Sequence, residues 1–285
     1  MRFKNLQIVI VLCSLSGLLI SCGAKSDKNA YRSTDAYDIA NPKIINLPAS
    51  IEEISGIAYY PKDTSVFAII DEDGILFKIS LNDPKKIKEW RFGKRRDYED
   101  VILKDSIFYV LVSNGDVEKL KFNGDSINVE QYQFPDASKK TNEFESLYYD
   151  PATDKKIILC KDCEDDKKGN ISSFALVDSA MGYENYAAIN TQAIFDKLGR
   201  REKIKPSAAA VNPVTKELYI LCSVNKLLVI QDAQGNLKDV IELNPKIYKQ
   251  PEGIAFTPAG DLIISNEYYL EGDGTLLLLK NKKPH

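Results

Sequence analysis

Five times along the chain, an alternating apolar run is followed by a short polar turn and a second apolar run. The units are "EISGIAYYPKDTSVFAIIDE" (53–72), "YEDVILKDSIFYVLVSN" (98–114), "FESLYYDPATDKKIILCKD" (144–162), "PSAAAVNPVTKELYILCSV" (206–224) and "QPEGIAFTPAGDLIISNE" (250–267). Alternation with period two predicts strands, and two such runs joined by a tight turn predict a hairpin. The heads of the units, Ser55, Glu99, Glu145, Ser207 and Glu252, are spaced 44, 46, 62 and 45 residues apart. Six residues after four of these heads stand Pro61, Pro151, Pro213 and Pro258, each presetting the turn. The second runs end at Asp71, Ser113, Lys161, Ser223 and Asn266, 14 or 16 residues past the head. Because the offset is even, strand alternation keeps these ends on one face.

A third apolar stretch follows each hairpin ("GILFKISL", "DVEKLKF", "NISSFALV", "KLLVIQ", "TLLLLK") and predicts outer strands. Strand-rich units with a period near 45 residues predict an all-β, five-bladed β-propeller, with six blades as the alternative count. The long third step holds "NTQAIFDKLGRRE", in which Thr191 is placed to cap a short helix and Gly199 to end it, an insertion on blade three. "PKIINLP" (42–48) has no hairpin partner of its own and is placed to complete the last blade, closing the ring.

The first residues read differently. Met1-Arg2-Phe3-Lys4 is a short positive start, "QIVIVLCSLSGLLI" (7–20) is almost wholly apolar, and Cys22 follows Ser21. That pattern predicts a secretory signal over 1–21, too short to span a membrane, which takes about 20 apolar residues. "LISC" resembles a lipoprotein box, so Cys22 is expected to carry lipid, 22–36 to be a flexible tether, and the propeller domain to occupy 37–285. The expected location is a bacterial cell envelope, anchored to a membrane through Cys22. Cys13 would leave with the signal. Cys160 and Cys222 sit at equivalent strand positions ("IILCK", "YILCS") and read as buried strand cysteines; a Cys160–Cys163 disulfide in an oxidising space is the alternative.

Charge narrows the function. Lys and Arg total 38 against 41 Asp and Glu, so no basic footprint for nucleic acid stands out, and "GKRRD" (93–97) reads as a solvated loop. His285 is the only histidine, which excludes Ser-His triads, HExxH zinc sites and histidine acid–base chemistry. The loop "KDCEDDKKGN" (161–170) lacks EF-hand spacing and reads as a hairpin tip. Tyr59-Tyr60, Tyr148-Tyr149 and Tyr268-Tyr269 are expected to pack between blades.

What remains is a recurrence of carboxylates where hairpins begin and end. Heads of innermost strands converge on the central channel, which brings together Glu99, Glu145 and Glu252, joined at the exits by Asp71, Glu72, Asp162, Asn266 and Glu267. Crowded carboxylates must take up protons, spread apart or hold a cation. With only oxygen ligands on offer, calcium is the expected cofactor. The alternative is that each glutamate rivets blades together by accepting hydrogen bonds from backbone amides.

Taken together, "ISGIAYYP", "DYEDV", "FESLYYDP", "PSAAAVNP" and "QPEGIAF" resemble the SdiA-regulated family of bacterial propeller proteins, over about Ile44 to Lys280. The resemblance implies a five-bladed propeller with a calcium site, secreted or membrane-tethered, with no established enzymatic activity. The chain departs from that pattern at Asp100 and Ser146, where glycine is expected after glutamate, at Ala208, and at Ser113-Asn114 in place of an acidic end. The resulting expectation is a monomeric, lipid-anchored binding module with a protein, glycan or small-molecule ligand on one face. The alternative is a calcium-dependent hydrolase, lactonase- or phosphoesterase-like, using the channel carboxylates.

Overall fold

The computed structural model describes residues 31–283 apart from 136, 138–141, 165, 167, 168 and 268–272. The signal, Cys22, Tyr268-Tyr269 and His285 therefore lie outside the described residues. Strand β1 (Lys43–Asn46) precedes blade one, which is β2 (Ile54–Tyr60), β3 (Ser65–Ile70), β4 (Ile75–Ser80) and β5 (Ile87–Arg91). Blade two is β6 (Tyr98–Lys104), β7 (Ile107–Val112), β8 (Val117–Asn123) and β9 (Ser126–Tyr132). Blade three takes β10 (Glu143–Asp150), β11 (Lys155–Asp162), β13 (Ser173–Val177) and β14 (Gly182–Asn185), while β12 (Asn170–Ile171) pairs with β15 (Ile189–Asn190) beside it. After helix α1 (Gln192–Leu198), blade four is β16 (Ala208–Val211), β17 (Leu218–Cys222), β18 (Leu227–Gln231) and β19 (Leu237–Glu242). Blade five is β20 (Pro251–Phe256), β21 (Leu262–Asn266) and β22 (Thr275–Leu279), and β1 supplies its fourth strand, pairing Lys43 with Leu278 and Asn46 with Thr275. The count is five, and the strand from 42–48 closes the ring.

Alternation explains how one strand serves two cores. Each buried cluster lies between neighbouring blades: in β2, Ile57 joins the core shared with blade five, and Ala58 the core shared with blade two. Five such seams hold the apolar side chains, so every blade is wedged on both faces. Tyr59, Tyr60 and Tyr148 pack in these seams as expected, whereas Tyr149 does not and its hydroxyl donates to Asp154. Tyr60 packs edge-on to Phe67 at 5.3 Å, and Tyr148 is buried in the seam of blades three and four. Tyr59, Tyr148 and Tyr149 also line a hollow of about 290 Å³ between the inner strands of the five blades.

Inner strands approach closely where the small residue follows the head. A Cβ on Gly56 would lie 2.5 Å from Asp100 Cα and Val101 N of the next blade. At Asp100 itself the chain does something else: the carboxylate is buried and accepts from Val101 N and, across the blade boundary, from Leu147 N, both at 2.8 Å. The rivet between blades is thus the residue after the glutamate. Burial pushes the Asp100 carboxyl well above the usual range, and the two N–H donors oppose that rise.

The insertion differs in one detail from its expectation. Thr191 occupies the N-cap of α1 without a side-chain cap bond; Asn190 Oδ1 accepts from Gln192 N instead, at 2.8 Å. Gly199 ends the helix in the left-handed region, φ 69°. Cys160 is buried in β11 and Cys222 in β17 as expected, but Cys160 also forms the alternative disulfide with Cys163, Cα atoms 5.9 Å apart; Cys222 is free, its thiol pushed up by burial.

Candidate metal centre

Two backbone bonds assemble the acidic end of the channel. Tyr98 N donates to Asp71 O (2.8 Å), tying the exit of blade one to the entry of blade two, and Ser113 N donates to Asp97 O (2.9 Å). Asp97 and Glu99 flank Tyr98, so alternation turns both to the side away from its buried ring. Asp71, Asp97 and Glu99 each offer an oxygen, all within 4.8 Å of one another. Two unit charges about 4 Å apart repel by roughly 4 kcal/mol at an effective dielectric near 20.

The protons record that repulsion. Burial, then the Asp97 and Asp71 charges, push Glu99 up to about 9, with the Lys161 ammonium pulling the other way. Burial and a hydrogen bond shared with Asp97 raise Asp71 to about 7, with Glu53 and Glu252 adding to the rise. Glu267 reaches about 8 through burial and the charges of Glu252, Asp71 and Glu53. Glu252 is also raised by burial, against hydrogen bonds from Ser223 and Gln250. Among the described residues no Lys or Arg forms an ion pair with Asp71, Asp97 or Glu99.

Other expected ligands are placed elsewhere. Glu145 is bonded by Lys161, whose Nζ also donates to Glu143 at 2.8 Å, so that part of the mouth carries its own cation. Asp162 is paired with Lys203 and Lys205, and Glu72 lies on the surface paired with Arg95. Asn266 is buried; its Nδ2 donates to Ile247 O (2.9 Å) and Thr275 Oγ1 (3.2 Å), while its Oδ1 has no partner. Glu99, Asp71, Glu252 and Glu267 are the expected residues that the fold brings into one electrostatic group.

Asp97 and Glu53 are the residues that sequence reasoning missed. A signal existed. Two positions before each head stand Glu53, Asp97, Glu143, Lys205 and Gln250, polar in every unit and on the face of the head by alternation. In "GKRRD" the basic residues drew the reading toward solvent. In the structure Arg96 holds Asp116 (2.7 Å) and Glu118 (3.0 Å), and Asp97 belongs to the mouth.

The donor set fits a hard cation. Its three carboxylates form no ion pair among the described residues, and on blade five the buried amide oxygen Asn266 Oδ1 lacks a partner. It offers no nitrogen or sulfur to a softer metal: in the second acidic group, Cys160 and Cys163 with Asp166, the sulfurs are bonded to each other.

No curated protein matches the sequence significantly. Among solved structures, glutaminyl cyclase of Myxococcus xanthus superposes with a TM-score of 0.56 at 15% identity, covering 85% of this chain and 96% of that one. A luciferin-regenerating enzyme gives 0.52 at 10% identity, covering 86% and 97%, and regucalcin of Agrobacterium tumefaciens, a calcium-binding protein, gives 0.51 at 10%, covering 87% and 96%. At these identities the likeness is one of fold. The SdiA-regulated family model matches residues 35–270, and with its five blades and repeated hairpin heads the chain belongs to that family.

Proposed function

We propose that this propeller is an extracytoplasmic binding module whose acidic channel mouth holds one calcium ion. The observation that carries the reading is the trio Asp71, Asp97 and Glu99: three converging carboxylates with no ion pair among the described residues, Asp97 accepting from Ser113 Oγ at 2.5 Å, whereas Glu145, Asp162 and Glu72 each pair with a lysine or arginine. Glu252 and Glu267, whose charges act on Asp71, are the further acids of that mouth. When bound, the ion would neutralise the mouth and fix blades one, two and five against one another. Those residues hold a shape for a ligand on that face, a protein, a glycan or a small molecule. The Cys160–Cys163 disulfide supports an oxidising compartment, and the "LISC" sequence ending in Cys22 supports a lipid anchor in the bacterial envelope.

The test is a thermal melt with calcium, magnesium or chelator. A ligand that binds only the folded state at a hundredfold excess over its Kd adds about 2.7 kcal/mol, so calcium should raise Tm well above chelator. Magnesium should do less, since it keeps its waters and demands octahedral geometry. Asp97→Asn should abolish most of the difference. Equal melts with calcium and chelator refute the metal site; Cys22→Ala that still takes up lipid refutes the anchor. A second reading, calcium-dependent hydrolysis, draws on acids that keep protons near neutrality beside that site, Glu99 and Glu267. Calcium-dependent turnover of lactones or phosphoesters, lost in Glu99→Gln, would favour it.

A further inference from the structure

The insertion that carries α1 walls a cleft of about 660 Å³ beside blade three, separate from the acidic trio. That volume is within the range of about 300–1,000 Å³ usual for small-molecule sites. Phe195 and Ile204 supply apolar wall, and Lys161, Arg201 and Lys203 supply charge. Two of these cations are already answered, Lys161 by Glu143 and Glu145 and Lys203 by Asp162. The acids in the lining are also engaged: Asp166 accepts from Ser172 N at 2.9 Å, and Glu202 from Arg200 Nε at 3.1 Å.

Arg201 is the exception. Its Nη2 donates to Gln192 Oε1 at 2.7 Å and its guanidinium stands 5.8 Å from the Phe195 ring centroid, but among the described residues no carboxylate pairs with it. A second group is equally unanswered. Thr191 is 3% exposed, lines the cleft, and its Oγ1 has no hydrogen-bond partner, because Asn190 has taken over the cap. A buried hydroxyl left unpaired is costly, which makes it a ready donor to an incoming oxygen.

We propose that this cleft binds a small amphipathic carboxylate, its acid on Arg201 and the Thr191 hydroxyl and its apolar body against Phe195 and Ile204. Among the described residues Arg201 is the one lining cation without a carboxylate partner, and with Asp166 held only by the neutral Ser172 donors the cleft suits a single carboxylate better than a phosphate dianion. The guanidinium fork suits the two oxygens of a carboxylate, and the adjoining ring suits an apolar body. Nothing in this assignment depends on a metal at the channel mouth.

The probe is 4-phenylbutyrate, titrated into the full chain by calorimetry beside its uncharged amide and inorganic phosphate. The acid should bind saturably, and the amide at least about tenfold more weakly, as expected for loss of a charge-assisted hydrogen bond. Arg201→Gln, at an exposed position, should weaken the acid by a similar factor while leaving the amide unchanged. Thr191→Val should weaken the acid yet keep or raise the melting temperature of the free protein, since it removes an unpaired buried hydroxyl. Chelator should leave acid binding as it is, so this result is separable from that of the metal test. No saturable binding below about 10 mM, equal binding of acid and amide, competition by phosphate as strong as the acid's own binding, or an Arg201→Gln protein that binds like the parent overturns the assignment.

Discussion

Calcium binding at the channel mouth should expel protons, and the number expelled can be worked out from the structure. Glu99 keeps its proton to about 9 when folded, against an ordinary value of 4.5. A raised acid binds more protons folded than unfolded, so its contribution to stability is greatest below pH 4.5 and is lost as pH rises toward 9. Over the two units from pH 6 to pH 8, at about 1.4 kcal/mol per unit, the metal-free protein should lose roughly 3 kcal/mol, or about 2 after allowing for water at the mouth. A cation reverses the preference, because it favours the ionised form. At pH 7, calcium should therefore release about one proton from Glu99, with more from Glu267 and Asp71. Calorimetry in buffers of different ionisation enthalpy counts those protons. Affinity should rise about tenfold per pH unit for each proton released. Glu99→Gln should lower the count by about one, and flatten the pH dependence of the metal-free melt. Calcium affinity that is equal at pH 6 and pH 8, with no proton release, would refute the reasoning.

Three further outcomes follow from the seams between blades. Asp100→Ala strands the Val101 and Leu147 N–H groups in the interior and should cost about 2–4 kcal/mol in a urea melt, more than Glu145→Gln at the channel mouth. Gly56→Ala forces a Cβ onto Asp100 Cα and Val101 N and should cost about 1–3 kcal/mol, read as a fall in Tm. Reducing Cys160–Cys163 opens a small loop and should lower stability by about 2 kcal/mol on the chain-entropy account, measured by denaturation with and without reductant.

Blade number, hairpin heads and the closing strand were legible in the sequence because each rests on local grammar: period-two alternation, a proline in the turn and a repeat near 45 residues. Which carboxylates meet was only partly legible. Glu99 and Glu145 are equivalent in the repeat, yet one lies among acids and the other is bonded to Lys161. The difference is made by a residue on the neighbouring strand of each blade, Ser113 against Lys161, and that is a matter of side-chain identity rather than period. Asp97 was obscured by charges that point elsewhere. Thr191 was legible as a cap by type, but the bond went to Asn190 one residue earlier, leaving a hydroxyl whose lack of a partner only coordinates reveal.

The pairing of β1 with β22 sets a timetable for the chain. Lys43–Asn46 emerges from the ribosome among the first parts of the domain, yet its partners at Thr275–Leu278 emerge among the last. Four blades can form as hairpins while synthesis continues, but the ring has no way to shut until Thr275–Leu278 has been made. Until then the last seam, shared by blades five and one, stays open with Ile45, Leu47 and Leu276 uncovered. A domain whose last blade has not yet been made is therefore recognisable to proteases and chaperones by that seam, however complete its other blades are.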